Sequence, residues 1–178
     1  MSSYSKPRGV KVAPLSKAKI KEKARLVRDH LFKIMPNKAI DLIKVLEHKL
    51  HLLGVTYEVR EVADMPEDVE ALTHPDDMTI ILREDIYEAL CDPFHLMNGR
   101  ARFTVAHEIG HLFLHEGLAL ARGRGDHKHF EDSEWQADAF ASELLMHTES
   151  CIGLDVDEIQ EKFQVSRQAA QFKFNSLK

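Results

Sequence analysis

Any fold of this chain has to accommodate His107-Glu108-Ile109-Gly110-His111, an H-E-x-x-H sequence set inside a helical pattern. From Arg100 to Glu116, the residues Phe103, Val105, Ala106, Ile109, Leu112 and Phe113 form a broad apolar stripe, and Gly117 stands where the helix should close. Positions i and i+4 of a helix lie on one face about a turn apart. Two imidazoles can therefore converge on one zinc ion at ~2.0–2.1 Å. Glu108 is offset from that line by one residue. It is near enough to take a proton from a water whose pKa the zinc lowers toward ~7, acting as general base without completing the ligand set. Gly110 removes a side chain and so lets a neighbouring element approach closely.

A catalytic zinc wants three protein ligands and an open position. Twenty-three residues after His111 comes Glu134-Trp-Gln-Ala-Asp138, in the first turn of a helix capped by Asp132 or Ser133 and running through Met146. The E-x-x-x-D spacing lets Glu134 face the zinc. It also lets Asp138 accept a hydrogen bond from the other nitrogen of a ligand histidine, His107 in the simplest arrangement. Bland readings stand beside these: Glu134 as a helix-start carboxylate favoured by the helix dipole, and Asp138 as a solvated helix residue. His115 shares a face with His111 but lies ~12 Å of helix from His107, so it is read as a hydrogen-bonding residue near the cleft or as a structural one. The metzincin pattern H-E-x-x-H-x-x-G-x-x-H fails, because Leu114 and Gly117 occupy its last two positions.

Around this pair the chain reads as one domain of 178 residues. Apolar residues at 44% and charged residues at 30% exclude a disordered chain and a membrane protein. With no apolar h-region behind Met1–Lys11 and two cysteines, Cys91 and Cys151, read as reduced and buried, the expected compartment is the cytoplasm. The net charge of −5 hides a split. Ten Lys/Arg stand against two Asp/Glu up to Lys33, which is +8, and the remainder carries −13. Such an arm either contacts nucleic acid, with Tyr4 and Phe32 as its aromatics, or lies on its own acidic body.

Residues 1–15 are expected to be a loose basic arm ahead of a single domain, 16–178. Ser16 caps a helix to about Lys33 with Ile20, Ala24, Val27 and Leu31 inward. Asn37 caps a second one, with Ile40, Ile43, Leu46, Leu50 and Leu53 inward and Gly54 as its left-handed end. Val55–Val62 and Met78–Arg83 read as strands, Asp64–Asp77 as a loop and Ile86–Leu90 as a short helix. Gly123–His129 reads as a polar loop, and Asp155–Lys178 as two helices split near Val165-Ser166. The fold class is α+β: mostly helical, with a small, mainly antiparallel sheet and two antiparallel helices carrying the zinc site.

Arg102-Phe-Thr-Val-Ala-His-Glu-Ile-Gly-His-Leu-Phe-Leu-His115, followed by Glu134-x-x-Ala-Asp-x-Phe-Ala-x-Glu-Leu-Leu-Met146, closely resembles the ImmA/IrrE family of zinc metallopeptidases. The resemblance spans about residues 20–178 and implies a zincin-like, gluzincin-like core. It implies one zinc per chain on His107, His111 and Glu134, with Glu108 as catalytic base. It further implies a zinc-dependent endopeptidase of bacterial or phage cytoplasm that cleaves a helix-turn-helix repressor or an antitoxin-like partner. The alternative is a non-catalytic zinc-binding regulator or toxin–antitoxin component acting by protein binding. His147 stands where the family often has Pro. Tyr87, His115 and His147 are unranked candidates for the oxyanion-stabilising group. The tail from Ile159 to Ala170 has the cadence of a helix-turn-helix and is read as packing on the domain rather than as reading DNA. The substrate strand is expected to lie antiparallel along Met78–Arg83.

Overall fold

The computed structural model describes residues 9–115 and 127–178. Tyr4, the helix end at Gly117 and the loop start at Gly123 lie outside them. Helix α1, Lys17–Leu26, starts where Ser16 Oγ accepts the backbone N–H of Lys19, and it runs on through a π-helical turn, Val27–Phe32. The wider turn shifts the facing by one residue. Ile20, Ala24 and Val27 are buried as the spacing predicts, but Phe32 replaces Leu31 as the next inward side chain. The second helix begins later than expected. Asp41, not Asn37, caps α2, Leu42–Lys44, which also widens into a π-helical segment, Val45–Leu50. Gly54 then ends it in the left-handed region, φ 79°, as predicted.

Three strands follow: β1 (Thr56–Arg60), β2 (Ala71–His74) and β3 (Thr79–Arg83). The α+β class holds, and the sheet is mixed, in the order β1-β3-β2. β1 runs parallel to β3, and β2 antiparallel to it. Met78–Arg83 is therefore corrected from substrate edge to central strand: both its sides are paired, and Ile80, Ile81 and Leu82 are buried. The edge strand beside the site helix is β2, inside the segment expected to be a loop. Helix α3 spans Glu84–Cys91, and the exposed Cys91 departs from expectation, whereas Cys151 is buried.

Helices α4 (Asn98–His115) and α5 (Ser133–Leu145) pack closely at Gly110, where an added Cβ would lie 3.1 Å from Ala137 O and 3.2 Å from Ala137 Cα. Short α6 (Thr148–Cys151), α7 (Val156–Phe163) and α8 (Arg167–Asn175) close the chain, with Asp155 and Ser166 as caps. Ile159, Phe163 and Ala170 belong to the core, and Lys173 is buried against Glu143 at 2.9 Å, so this tail packs on the domain. Residues 9–15 lie along 130–133: Val12 N–H donates to Glu131 O, Leu15 N–H to Phe130 O, and Ser133 N–H to Val10 O.

The basic first helix lies on acidic partners. Arg25 bridges Glu143 and Glu149, and the buried Arg28 donates to Leu144 O, Met35 O and Lys38 O, joining the end of α5 to the 35–38 turn. Burial opposes ionisation of Glu143, but Lys173 and the Thr148 donors overcome it and hold the carboxyl near 2. A depressed carboxylate stabilises the fold above its unfolded pKa, and that contribution is lost as pH falls from about 4.5 toward 2. Wild type should thus lose more stability between pH 6 and pH 3 than Glu143→Gln, measured by urea unfolding. Parallel losses would remove the assigned role of this carboxylate.

Candidate metal centre

Helix α4 is held at both neighbours. The Asn98 amide donates to Ala89 O and Leu90 O at the end of α3, and the Arg102 guanidinium donates to Ile40 O. From this rigid rod His107 and His111 point toward the first turn of α5, where Trp135 N–H donates to Asp132 Oδ1 at the N-cap. Three side-chain atoms that could hold a metal ion meet there. His107 Nε2 lies 3.1 Å from Glu134 Oε2, His111 Nε2 3.2 Å from Glu134 Oε1, and the two Nε2 atoms 3.0 Å apart.

Those separations test whether a metal fits. Tetrahedral ligation at about 2.0–2.1 Å sets donor atoms about 3.3–3.4 Å apart, close to what is observed. The chemistry of the set points the same way. His107 Nδ1 lies 2.8 Å from Asp138 Oδ1, and the carboxylate can only accept, so Nδ1 carries the proton. In the neutral ring, Nε2 is then a lone pair facing a carboxylate oxygen and another imidazole. Acceptors without a donor repel unless a proton or a cation lies between them. Two nitrogens and a carboxylate suit zinc.

In the metal-free protein a proton fills that role. Burial lowers the pKa of His107, but the bonds to Asp138 and Glu134, with Glu108 nearby, more than reverse this and raise it to about 10. Burial pushes Glu134 up, and the two histidines outweigh it, so Glu134 stays ionised. Metal binding must therefore expel the proton from His107. Below pH 10, apparent affinity should fall about tenfold per pH unit, with close to one proton released per ion near neutrality. Calorimetric titration in two buffers of different ionisation enthalpy measures that proton, and release of none would contradict the coupling.

Glu108 is buried, 7% exposed, on the sheet-facing side of α4, where Thr73 Oγ1 lies 2.6 Å from Oε2 and 3.1 Å from Glu108 O. Strand β2 thus reaches the carboxylate next to the triad. Thr73 escaped the sequence reading because its strand is four residues long and lies in an acidic segment between Pro66 and Pro75. The Ala-Leu-Thr-His alternation was its only signal. Behind His111, on the side away from the triad, its Nδ1 lies 3.0 Å from His115 Nδ1. His115 Nε2 in turn lies 3.2 Å from Oε1 of Gln136, a residue the sequence reading also passed over. His115 is fully buried and stands behind a triad histidine rather than in an open cleft.

The remaining candidates lie apart from the triad. Tyr87 stacks on Tyr57, ring centroids 6.0 Å apart, and the hydrogen bond with the Tyr57 hydroxyl raises its pKa above the usual phenol value. His147 follows the far end of α5 and faces Glu149 and Ser150. Glu143, His147 and Glu149 make a second group of potential ligands, but Arg25 and Lys173 already supply its cations. Among the described residues, no helix is long and apolar enough to cross a membrane.

Residues 94–175, which contain the triad, match the family profile described as the IrrE N-terminal-like domain, a peptidase family. No curated protein matches the chain in sequence. Among solved structures, a Mycobacterium tuberculosis transcriptional regulator aligns with a TM-score of 0.53 at 15% identity, over 86% of this chain and 45% of that one. This chain spans less than half the length of that regulator. At that identity the likeness bears on the fold alone.

Proposed function

We propose that this chain, whose residues 94–175 match the IrrE N-terminal-like domain family, is a zinc-dependent endopeptidase of bacterial or phage cytoplasm acting on a helix-turn-helix repressor or an antitoxin-like partner. The observation that carries the reading is the meeting of His107 Nε2, His111 Nε2 and a Glu134 carboxylate within 3.0–3.2 Å, with Glu108 on the same helix. His107, His111 and Glu134 would hold one zinc. The chemistry a zinc ion supplies is Lewis-acid polarisation of a carbonyl and acidification of water. Glu108 takes a proton from the attacking water and delivers it to the leaving amine, and Thr73 holds its carboxylate for that transfer. Asp138 keeps the His107 proton on Nδ1. An extended substrate adds antiparallel to the edge of β2 that is unpaired among the described residues, on the strand whose Thr73 already touches Glu108.

The repressor partner is the one the sequence resemblance implies; a match to the IrrE N-terminal-like family and a structural neighbour described as a transcriptional regulator are compatible with it. A direct DNA contact through the tail is disfavoured, since Lys173 is buried on Glu143 and Arg167 pairs with Asp157. The second reading, a zinc-binding regulator that binds its partner without cutting it, draws on the same neighbour. Incubating zinc-loaded protein with repressors encoded beside its gene, with and without chelator, separates the two. Chelator-sensitive fragments are expected, and stable complexes with intact repressor would favour the regulator.

A further inference from the structure

His111 differs from His107 in what stands behind it. Asp138, a carboxylate, backs His107. Another histidine backs His111, and the hydrogen-bond chain behind that one admits a single assignment of protons. Gln136 Nε2 lies 2.8 Å from both Ala13 O and Phe130 O, which only accept, so the amide is oriented with its NH2 toward them. Its Oε1 then faces His115 Nε2 at 3.2 Å and can only accept, so His115 carries a proton on Nε2. His115 is fully buried, and its ring nitrogens meet an amide and an imidazole rather than a carboxylate. A histidine that offers its Nε2 lone pair to a cation carries its proton on Nδ1. His111 Nε2 is directed at Glu134 and His107, and its Nδ1 lies 3.0 Å from His115 Nδ1, so in that pair His111 donates and His115 Nδ1 accepts.

We propose that His115 and Gln136 are positioning residues of the metal centre, a hydrogen-bond relay anchored at Ala13 and Phe130 that locks His111 in the Nδ1–H tautomer. This rests on the triad reading given under Proposed function. The 9–15 segment, bound along 130–133, supplies one of the two carbonyls that orient the Gln136 amide, and Phe130 supplies the other.

The test has two readouts besides activity. Long-range proton–nitrogen NMR of the imidazole rings, on metal-free and zinc-loaded wild type, should show His115 protonated at Nε2 and His111 at Nδ1. A proton on His115 Nδ1 would overturn the relay, whatever any variant does. Zinc affinity by competition with a chromophoric chelator should fall about 10–100-fold in His115→Phe, which removes the acceptor. It should recover in His115→Gln, whose amide oxygen can accept from His111. Wild-type affinity in His115→Phe would refute the relay. His107→Ala serves as control for the underlying reading: undiminished zinc binding there would refute the triad itself, and loss of binding there with none in His115→Phe would refute only the relay.

Discussion

Glu108→Gln should lower peptide-bond cleavage by about 10²–10⁴-fold, the range a general base contributes, while zinc affinity and thermal stability stay at wild-type values. The separation of effects follows from the geometry. Glutamine keeps the side-chain volume at a 7%-exposed position, and its amide oxygen can still accept from Thr73 Oγ1, now 2.6 Å from Oε2. What it loses is basicity. The three ligand atoms are on other residues, so the metal is retained. Cleavage of a partner repressor by the zinc-loaded variant at the wild-type rate would remove Glu108 from the base role. Full biological activity of a cleavage-dead variant would instead favour the regulator that acts by binding alone.

The α+β class and the two site helices were legible in the sequence because their signals are local. The stripe from Phe103 to Phe113 and the run Ala137, Phe140, Ala141, Leu144, Leu145 have helical periods long enough to be unmistakable, and most of those residues are buried. The E-x-x-x-D offset from H-E-x-x-H is local to each helix too. What failed was whatever depends on partners distant in sequence. Strand β2 exists because β3 pairs with it and α4 covers it, and four residues between prolines carry little pattern of their own. The π-helical turns at Val27–Phe32 and Val45–Leu50 slide the apolar register by a residue, and spacing rules built on 3.6 residues per turn place Leu31 and Leu53 inward where the fold exposes them. Gln136 is the subtlest case. In sequence it is a polar residue between a tryptophan and an alanine, and its role depends on Ala13, 123 positions away.

Gly110→Val should unfold the protein more easily by about 2–3 kcal/mol, roughly 5–10 °C in Tm, and weaken zinc binding at temperatures where the fold persists. Two effects compete at this position. A glycine inside a helix costs about 1 kcal/mol relative to alanine, so any side chain should help if there were room. There is little: the first carbon would stand 3.1 Å from Ala137 O and 3.2 Å from Ala137 Cα, backbone atoms that cannot swing aside. Alanine asks α5 to yield by a few tenths of an ångström and should come out near neutral. Valine places two further carbons in the same gap, and the overpacking outweighs the propensity gain. The site reports the displacement, because Gly110 and the ligands share both helices: His107 and His111 are on α4, Glu134 is on α5. A ligand set closed at 3.0–3.2 Å does not tolerate a shift of half an ångström between those helices without loss of metal affinity. Measuring thermal unfolding of metal-free Gly110→Ala and Gly110→Val beside their zinc affinities decides it. A valine variant as stable and as tightly zinc-binding as wild type would mean that the close packing at Gly110 does not set the spacing of the triad.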